Sequence, residues 1–216
     1  MRAHLEVVQR LLAASVPEVA AGRVTVRAVA REPGVLTKVA LEAHEAGLDP
    51  VEVCRGPRGE VQQAVAARLG DRAIDLVAWA ADPALFARRA VARAVVVQAI
   101  VNEAGRAVEL IVPDEHLRAA IGDGGVNVRL AAVLLDWKLS VRGASAAAAA
   151  RAAALAALAR LPGVDAELAE RLFVNGFRSP AQIATADEQE LLGVHGILPE
   201  NLEALRAAAR ALAGAE

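Results

Sequence analysis

Apolar positions in the first third of the chain follow two different periods. Over residues 5–14 they recur every three or four positions, which is the spacing of one face of an α-helix. Over residues 22–30 they alternate with polar positions, as in a half-buried strand, and a partner strand at 37–43 follows a Pro-Gly turn. The pattern then predicts helices at 50–54 and 61–69 and a strand at 73–79.

The same order of elements returns in the next stretch of chain. It predicts a helix at 83–91, strands at 94–101 and 107–112, helices at 114–121 and 126–135, and a strand at 138–141. In each copy a GxxG segment separates two helices, as Gly56-Pro57-Arg58-Gly59 and as Gly122-Asp123-Gly124-Gly125. A whole supersecondary unit that occurs twice indicates two related domains of mixed helix and sheet.

The remainder of the chain carries only helical patterns. Helices are predicted at 145–160, 165–174 and 198–213. Between them, Pro180 fits the first turn of a short helix, and Thr185 with Glu188 fits a capping box. The Gly-bearing turns at 161–164 and 193–197 are typical of paired helix-hairpin-helix units.

Composition supports small, aliphatic cores. About a quarter of the 216 residues are Ala and only 2% are aromatic, which disfavours an aromatic-rich β-sandwich or barrel. Residues 1–143 carry a net charge of +1 and residues 144–216 a net charge of −3. We therefore place domain boundaries to give residues 1–80, 81–143 and 144–216.

Other classes of protein and site are disfavoured. The single cysteine, Cys54, excludes an internal disulfide and a multi-cysteine zinc site, and the four histidines lack metal-ligand spacing. No catalytic signature is present, so we expect neither an enzyme nor a cofactor. The first residues lack the apolar run of a signal peptide, and no stretch fits a membrane span. We expect a cytoplasmic protein without a membrane partner.

The paired GxxG segments indicate binding of single-stranded RNA. Glycines allow a phosphodiester backbone to approach the main chain, and the N–H groups at the start of the next helix face the phosphates. Bases would then lie between the helices and the adjacent strand, as in KH domains. The helix before two strands matches the type II KH arrangement. The predicted fold is α+β, with two tandem type II KH domains followed by an all-α helix-hairpin-helix domain.

Longer segments resemble the NusA family of transcription factors. Arg31-Glu32-Pro33-Gly34 with Thr37-Lys38, and the later GPRG segment, are similar to its first KH domain. The second domain is echoed by 111–115 and by 121–131, and the tail by Leu161-Pro-Gly-Val. The similarity implies pausing, termination and antitermination of transcription as functions, with the KH pair clamping single-stranded nascent RNA. Its polymerase-binding and OB-barrel domains have no counterpart here, which leaves a fragment or a truncated relative as alternatives.

Candidate RNA-binding residues lie in and beside the two GxxG segments. They are Lys38, Arg55, Gly56, Pro57, Arg58 and Gly59 in the first domain, and Gly122, Gly124, Gly125, Asn127 and Arg129 in the second. The two tryptophans and Cys54 are interpreted as core residues. The acidic tail is expected to dock to RNA polymerase or an associated factor.

Further departures from the family weaken this expectation. The family usually carries Arg or Lys where this chain has Asp123 and Gln where it has Val126, and it tends to carry Arg where Leu36 and Val61 stand. A carboxylate in the second loop would repel phosphate. Two alternatives therefore remain: an adaptor protein of the transcription machinery with weakened or lost RNA binding, and a DNA-binding helix-hairpin-helix protein, which the acidic tail disfavours. RNA sequence preference and oligomeric state are not predicted.

Overall fold

A computed structural model describes residues 2–91 and 94–214 and divides the chain into two compact units. The first unit ends at Ala144 and the second begins at Ser145. Met1 and Glu216, the outer limits of the predicted domains, lie outside the described residues. The KH pair and the helical tail are both present, which confirms the predicted fold class.

The first KH domain has helices on one face of a three-stranded mixed sheet. Its elements are α1 (Arg2–Ala13), α2 (Pro17–Ala20), β1 (Val24–Glu32), β2 (Leu36–Ala43), α3 (Pro50–Arg55), α4 (Glu60–Leu69) and β3 (Ala73–Ala78). β1 and β2 are antiparallel, and β3 lies parallel to β2 at the other edge. The crossover through α3 and α4 allows this parallel pairing.

The second KH domain repeats this arrangement. Its elements are α5 (Pro83–Ala90), β4 (Gln98–Asn102), β5 (Ala107–Val112), α6 (Leu117–Ile121), α7 (Val126–Leu135) and β6 (Lys138–Gly143). The strand order and the strand directions are those of the first domain. The strand predicted from residue 94 begins only at Gln98, and Val95 and Val97 lie exposed before it.

The two KH domains share a hydrophobic core. One face of the first sheet packs on α1, α3 and α4 around Val39 and Leu41. Its other face presents Leu36, Ala40 and Val77 to the α5 and α7 helices of the second domain. Apolar side chains removed from water on both faces of the first sheet stabilise each domain against the other.

The second unit is a bundle of short helices. After α8 (Ala144–Leu158) come α9 (Ala166–Val174), α10 (Pro180–Thr185), α11 (Glu188–Leu192) and α12 (Pro199–Ala213). Side-chain caps begin three of them, since Asp165, Ser179 and Asp187 accept backbone N–H groups of α9, α10 and α11. The predicted capping box of Thr185 with Glu188 is wrong, because Thr185 ends α10 and Asp187 caps α11.

Candidate nucleic-acid interface

The two GxxG loops have the same backbone conformation. Each joins two helices through four residues, and three corresponding pairs agree in φ and ψ within about 6°. The pairs, with φ and ψ in degrees, are Gly56 (70, 172) with Gly122 (76, 167), Arg58 (54, 16) with Gly124 (59, 19), and Gly59 (79, 17) with Gly125 (73, 15). The repeat seen in the sequence is therefore a repeat of geometry at the loops.

The first glycine of each loop is required by space as well as by conformation. A Cβ on Gly56 would lie 2.5 Å from Cγ2 of Val61, and one on Gly122 would lie 2.9 Å from the backbone N of Asn127. Both residues also have positive φ, which side chains rarely adopt. These glycines bring the loop tightly against the first turn of the following helix.

A groove of about 520 Å³ opens beside the first loop. It lies between α4 and the start of β3, and the loop closes one end. Its lining includes Arg55, Arg58, Gln62, Gln63, Arg72 and Ile74. The groove therefore combines polar and apolar lining residues, a mixture that suits both the phosphates and the bases of a single strand.

Three arginines of this groove are available for a ligand. Arg55, Arg58 and Arg72 are exposed and make no hydrogen bond or ion pair within residues 2–91 and 94–214. Arg58 extends from the loop itself, with its backbone in the left-handed region. A polyanion entering the groove would not have to break an existing ion pair to reach them.

The carboxylate at the groove's edge is already neutralised. Asp71 is buried and accepts hydrogen bonds from Arg31 Nε at 2.8 Å, Thr37 Oγ1 at 2.6 Å and Gly34 N at 2.8 Å. Burial by itself would raise the pKa of Asp71, but these hydrogen bonds and the charge of Arg31 hold it below its ordinary value. Asp71 thus joins the β1–β2 turn to the start of β3 without adding a free negative charge.

The two arginines beside the second loop make ion pairs with carboxylates of this chain. Arg118 lies 3.7 Å from Asp123, and both side chains are almost fully exposed. Arg129 pairs with Glu32 of the first domain and also donates to Gly124 O at 3.0 Å. A phosphate at this loop would meet Asp123 and would compete with Glu32 for Arg129.

The comparisons with known proteins cover almost the whole chain. Profiles described as NusA-like first KH domain, NusA-like second KH domain and SAM-like Helix-hairpin-helix tandem match residues 2–79, 83–149 and 155–211. The chain is therefore NusA-like. The predicted domain boundaries at 80 and 143 lie near these spans and stay predictions.

Curated relatives are named "Transcription termination/antitermination protein NusA". The proteins of Bacillus subtilis and Thermus thermophilus are 39% identical over 146 residues and 41% identical over 139 residues. These matches cover 68% and 64% of this chain, but only 39% and 36% of the relatives. The chain thus spans about two fifths of their length. The solved protein APE1850 has a TM-score of 0.45 and 19% identity over 64% of this chain and 94% of its own.

Lys38 does not belong to the surface of this NusA-like pair, contrary to expectation. Its side chain has no exposed area, and its Nζ lies 2.9 Å from Asp75 Oδ2 and 2.8 Å from Ala90 O. Ala90 ends α5, where a helix dipole favours a cation. Lys38 therefore fastens the first sheet to the second domain, and we remove it from the candidate RNA-binding residues.

Asn127 is also structural. It is buried, and its Nδ2 donates to Ala119 O at 3.3 Å and to Ala120 O at 2.7 Å. These bonds satisfy carbonyl groups near the end of α6, where the following loop leaves them without helical partners. The side chain that looked like an RNA contact instead holds the second loop in shape.

Two departures from the NusA pattern also have packing roles. Leu36 is buried in the core that the two domains share, and Val61 Cγ2 lies over Gly56. Conversely, Arg72 lines the first groove although it is not among the predicted RNA-binding residues. Its position directly after Gly70-Asp71, between α4 and the edge strand, was the available signal.

Other candidate chemistries gain no support from the described part of the chain. Cys54 is buried, and burial, with a smaller contribution from Glu18, raises the pKa of its thiol to about 12. Residues 2–91 and 94–214 contain no group of three metal-ligating side chains. Nor does any helix in those segments have the length and apolarity to span a membrane.

Proposed function

We propose that this chain binds single-stranded RNA through the groove of its first KH domain, as part of a transcription termination and antitermination factor. One observation carries the proposal: a groove bordered by a GxxG loop is lined by three arginines that have no ion pair within the part of the chain that the structure describes. Loop amides and Arg58 would hold the phosphates, while the floor of the groove would accept bases. The proposal involves binding alone and assigns no catalytic residue.

The ion pairs at the second loop suggest that the second KH domain contributes less RNA affinity than the first. Asp123 opposes phosphate, and Arg129 is held by Glu32. These contacts also support a second candidate function, in which the second domain contacts protein rather than RNA. The acidic helical unit would then dock to RNA polymerase or an associated factor, because its net charge of −3 disfavours nucleic acid.

Fluorescence anisotropy with a short A-rich RNA, titrated at several salt concentrations, tests the proposal. We expect binding at low salt that weakens as salt rises, because phosphate contacts release counterions. Arg58→Asp should reduce affinity at least tenfold, since it replaces an attractive charge in the loop by a repulsive one.

Arg68→Asp is the matched control. Arg68 lies on α4 and is exposed, but it does not line the groove. The same change of charge on the same helix should lower affinity far less than Arg58→Asp does. Absence of binding at low salt, or equal losses for the two variants, would contradict the proposal and favour the adaptor.

A further inference from the structure

Gln62 connects the two sides of the candidate RNA groove. It is half-buried near the start of α4, two residues after Glu60. Its Nε2 donates a hydrogen bond to Ile74 O at 2.6 Å, and both residues line the groove. Ile74 lies near the start of β3, which pairs only with β2 among the described strands. The bond therefore joins α4 to the free edge of the first sheet at the groove.

This hydrogen bond fixes the orientation of the Gln62 amide. A backbone carbonyl can only accept a hydrogen bond, so Nε2 must face Ile74 and Oε1 takes the other position of the amide. Oε1 receives no hydrogen bond within residues 2–91 and 94–214. An amide flip would set two acceptor oxygens against each other and lose the bond to β3. Gln62 thus contributes an acceptor whose identity the protein fixes.

The other polar side chains of the groove do not offer such an acceptor. Its three arginines carry donors only, which suits phosphates. The oxygens of Asp71 already accept hydrogen bonds from its neighbours in the first domain. Gln63 is exposed and makes no hydrogen bond within the described part of the chain, so either end of its amide can turn to a ligand. Gln62 is therefore the side chain best placed to distinguish a donor from an acceptor on a base.

The second KH domain has a valine at the corresponding position. Gln62 and Val128 are each the third residue of the helix that follows the GxxG loop. Val128 is also half-buried, but its side chain cannot form a hydrogen bond. Because both loops have the same backbone conformation, that conformation does not require Gln62. Its presence in the first domain alone accompanies the three arginines of the first groove.

We propose that Gln62 is a specificity-determining residue of the groove, whose Oε1 accepts a hydrogen bond from the exocyclic amino group of an adenine. This inference deepens the proposed function and rests on it. Glutamine pairs well with adenine, because its acceptor and donor match the amino group and a ring nitrogen of that base. Uracil has a carbonyl oxygen where adenine has the amino group, so it would face Oε1 with a second acceptor.

Removal of a single amino group from the RNA tests the contact. Fluorescence anisotropy at low salt compares a short A-rich RNA with the same RNA in which one adenine at a time is replaced by purine, which lacks only the amino group. At one position the affinity should fall about fivefold, the effect of one lost hydrogen bond. Uracil at that position should weaken binding at least as much.

Two matched variants assign the effect to Gln62. Gln62→Val places the second domain's residue in the first groove and should abolish the difference between adenine and purine. Gln63→Val is the control, because it is the same substitution one residue later in the groove but removes no hydrogen bond to β3. It should leave the difference unchanged. Thermal unfolding verifies that each variant is folded, and the ratio of two affinities measured on one folded variant does not depend on its stability.

The outcomes separate this proposal from the proposed function. If RNA binds in an Arg58-dependent way, but purine changes nothing or weakens the parent and Gln62→Val equally, Gln62 does not read the base and the groove stands. If Gln63→Val also abolishes the difference, the fixed amide is not the selecting group and the proposal is overturned. If no RNA binds at low salt, both proposals fail.

Discussion

The two KH domains of this chain have loops with the same backbone but different electrostatic surroundings. In the first, Arg55, Arg58 and Arg72 face a groove and make no ion pair within the described residues, 2–91 and 94–214. In the second, Asp123 stands in the loop and Arg129 is paired with Glu32. We infer from this comparison that the GxxG conformation and the capacity to bind a polyanion are separate properties. The glycines specify the conformation, and we expect the neighbouring charges to determine the binding.

The largest expected effect concerns the carboxylates that follow α4 and α7. Asp71 is buried among Arg31, Thr37 and Gly34, whereas Asp136 pairs with Arg106 in full solvent. Asp71→Asn should lower the free energy of unfolding by about 3 kcal/mol, because it leaves the Arg31 charge without its partner. Asp136→Asn should cost less than about 0.5 kcal/mol. Urea unfolding measures the free energy of unfolding of both variants. Equal losses would contradict the expected difference between the buried and the exposed carboxylate.

The pH dependence of stability should identify Asp71 as well. Its pKa is lower in the folded protein than in the unfolded chain, so its contribution is fully present above the unfolded pKa of about 3.9. The contribution disappears as the pH falls through the lowered folded pKa. The Asp71→Asn variant should therefore lose less stability on acidification than the parent protein does. If the free energy of unfolding falls in parallel with pH for the two proteins, Asp71 does not contribute in this way.

The glycine contacts predict an effect of similar size. Gly122→Ala should cost about 3 kcal/mol, because the new Cβ meets the backbone of Asn127 at a residue with positive φ. Gly56→Ala comes closest to the Val61 side chain, with Cγ2 at 2.5 Å and the backbone N at 3.3 Å, so adding Val61→Ala should recover part of its loss. Thermal unfolding of the single and double variants measures this. If Val61→Ala restores no stability to the Gly56→Ala variant, contact with the Val61 side chain is not the cause of the lost stability.

Exchange of loop residues tests the charge difference itself. Arg58→Gly places in the first loop the glycine that the second loop has at the corresponding position, Gly124. Both residues have the same left-handed backbone conformation, so the substitution should leave the loop backbone unchanged. RNA affinity should fall about fivefold, and the slope of log affinity against log salt should decrease by about one. Anisotropy titrations measure both quantities. An unchanged slope would mean that Arg58 does not contact phosphate.

The smallest expected effect is a gain at the second loop. Asp123→Arg and Glu32→Gln should each raise affinity for longer RNA by a few fold, the first by removing repulsion and the second by releasing Arg129. Glu45→Gln is a suitable control, because Glu45 pairs with Arg23 away from both loops. If Glu45→Gln raises the RNA affinity as much as Glu32→Gln does, the gain comes only from the change in net charge.

Periodicity and the repeated GxxG segments were sufficient to predict the fold class, because both depend on local sequence. The side-chain assignments needed the structure. Lys38 looks like a surface cation in sequence, yet Asp75 and Ala90 bury it between the domains. Glu32 and Arg129 are 97 residues apart, so no local pattern could indicate that they meet. Trp79 and Trp137 likewise share a cleft only through the packing of the two domains.

The most direct test of the central claim compares the two loops in one sample. Selective ¹⁵N labelling of glycine makes the amides of Gly56, Gly59, Gly122, Gly124 and Gly125 visible during titration with single-stranded RNA. The account predicts that Gly56 and Gly59 shift at the lowest RNA concentrations while the second-loop glycines remain in place. Shifts that begin in the second loop, or that occur equally in both, would contradict it.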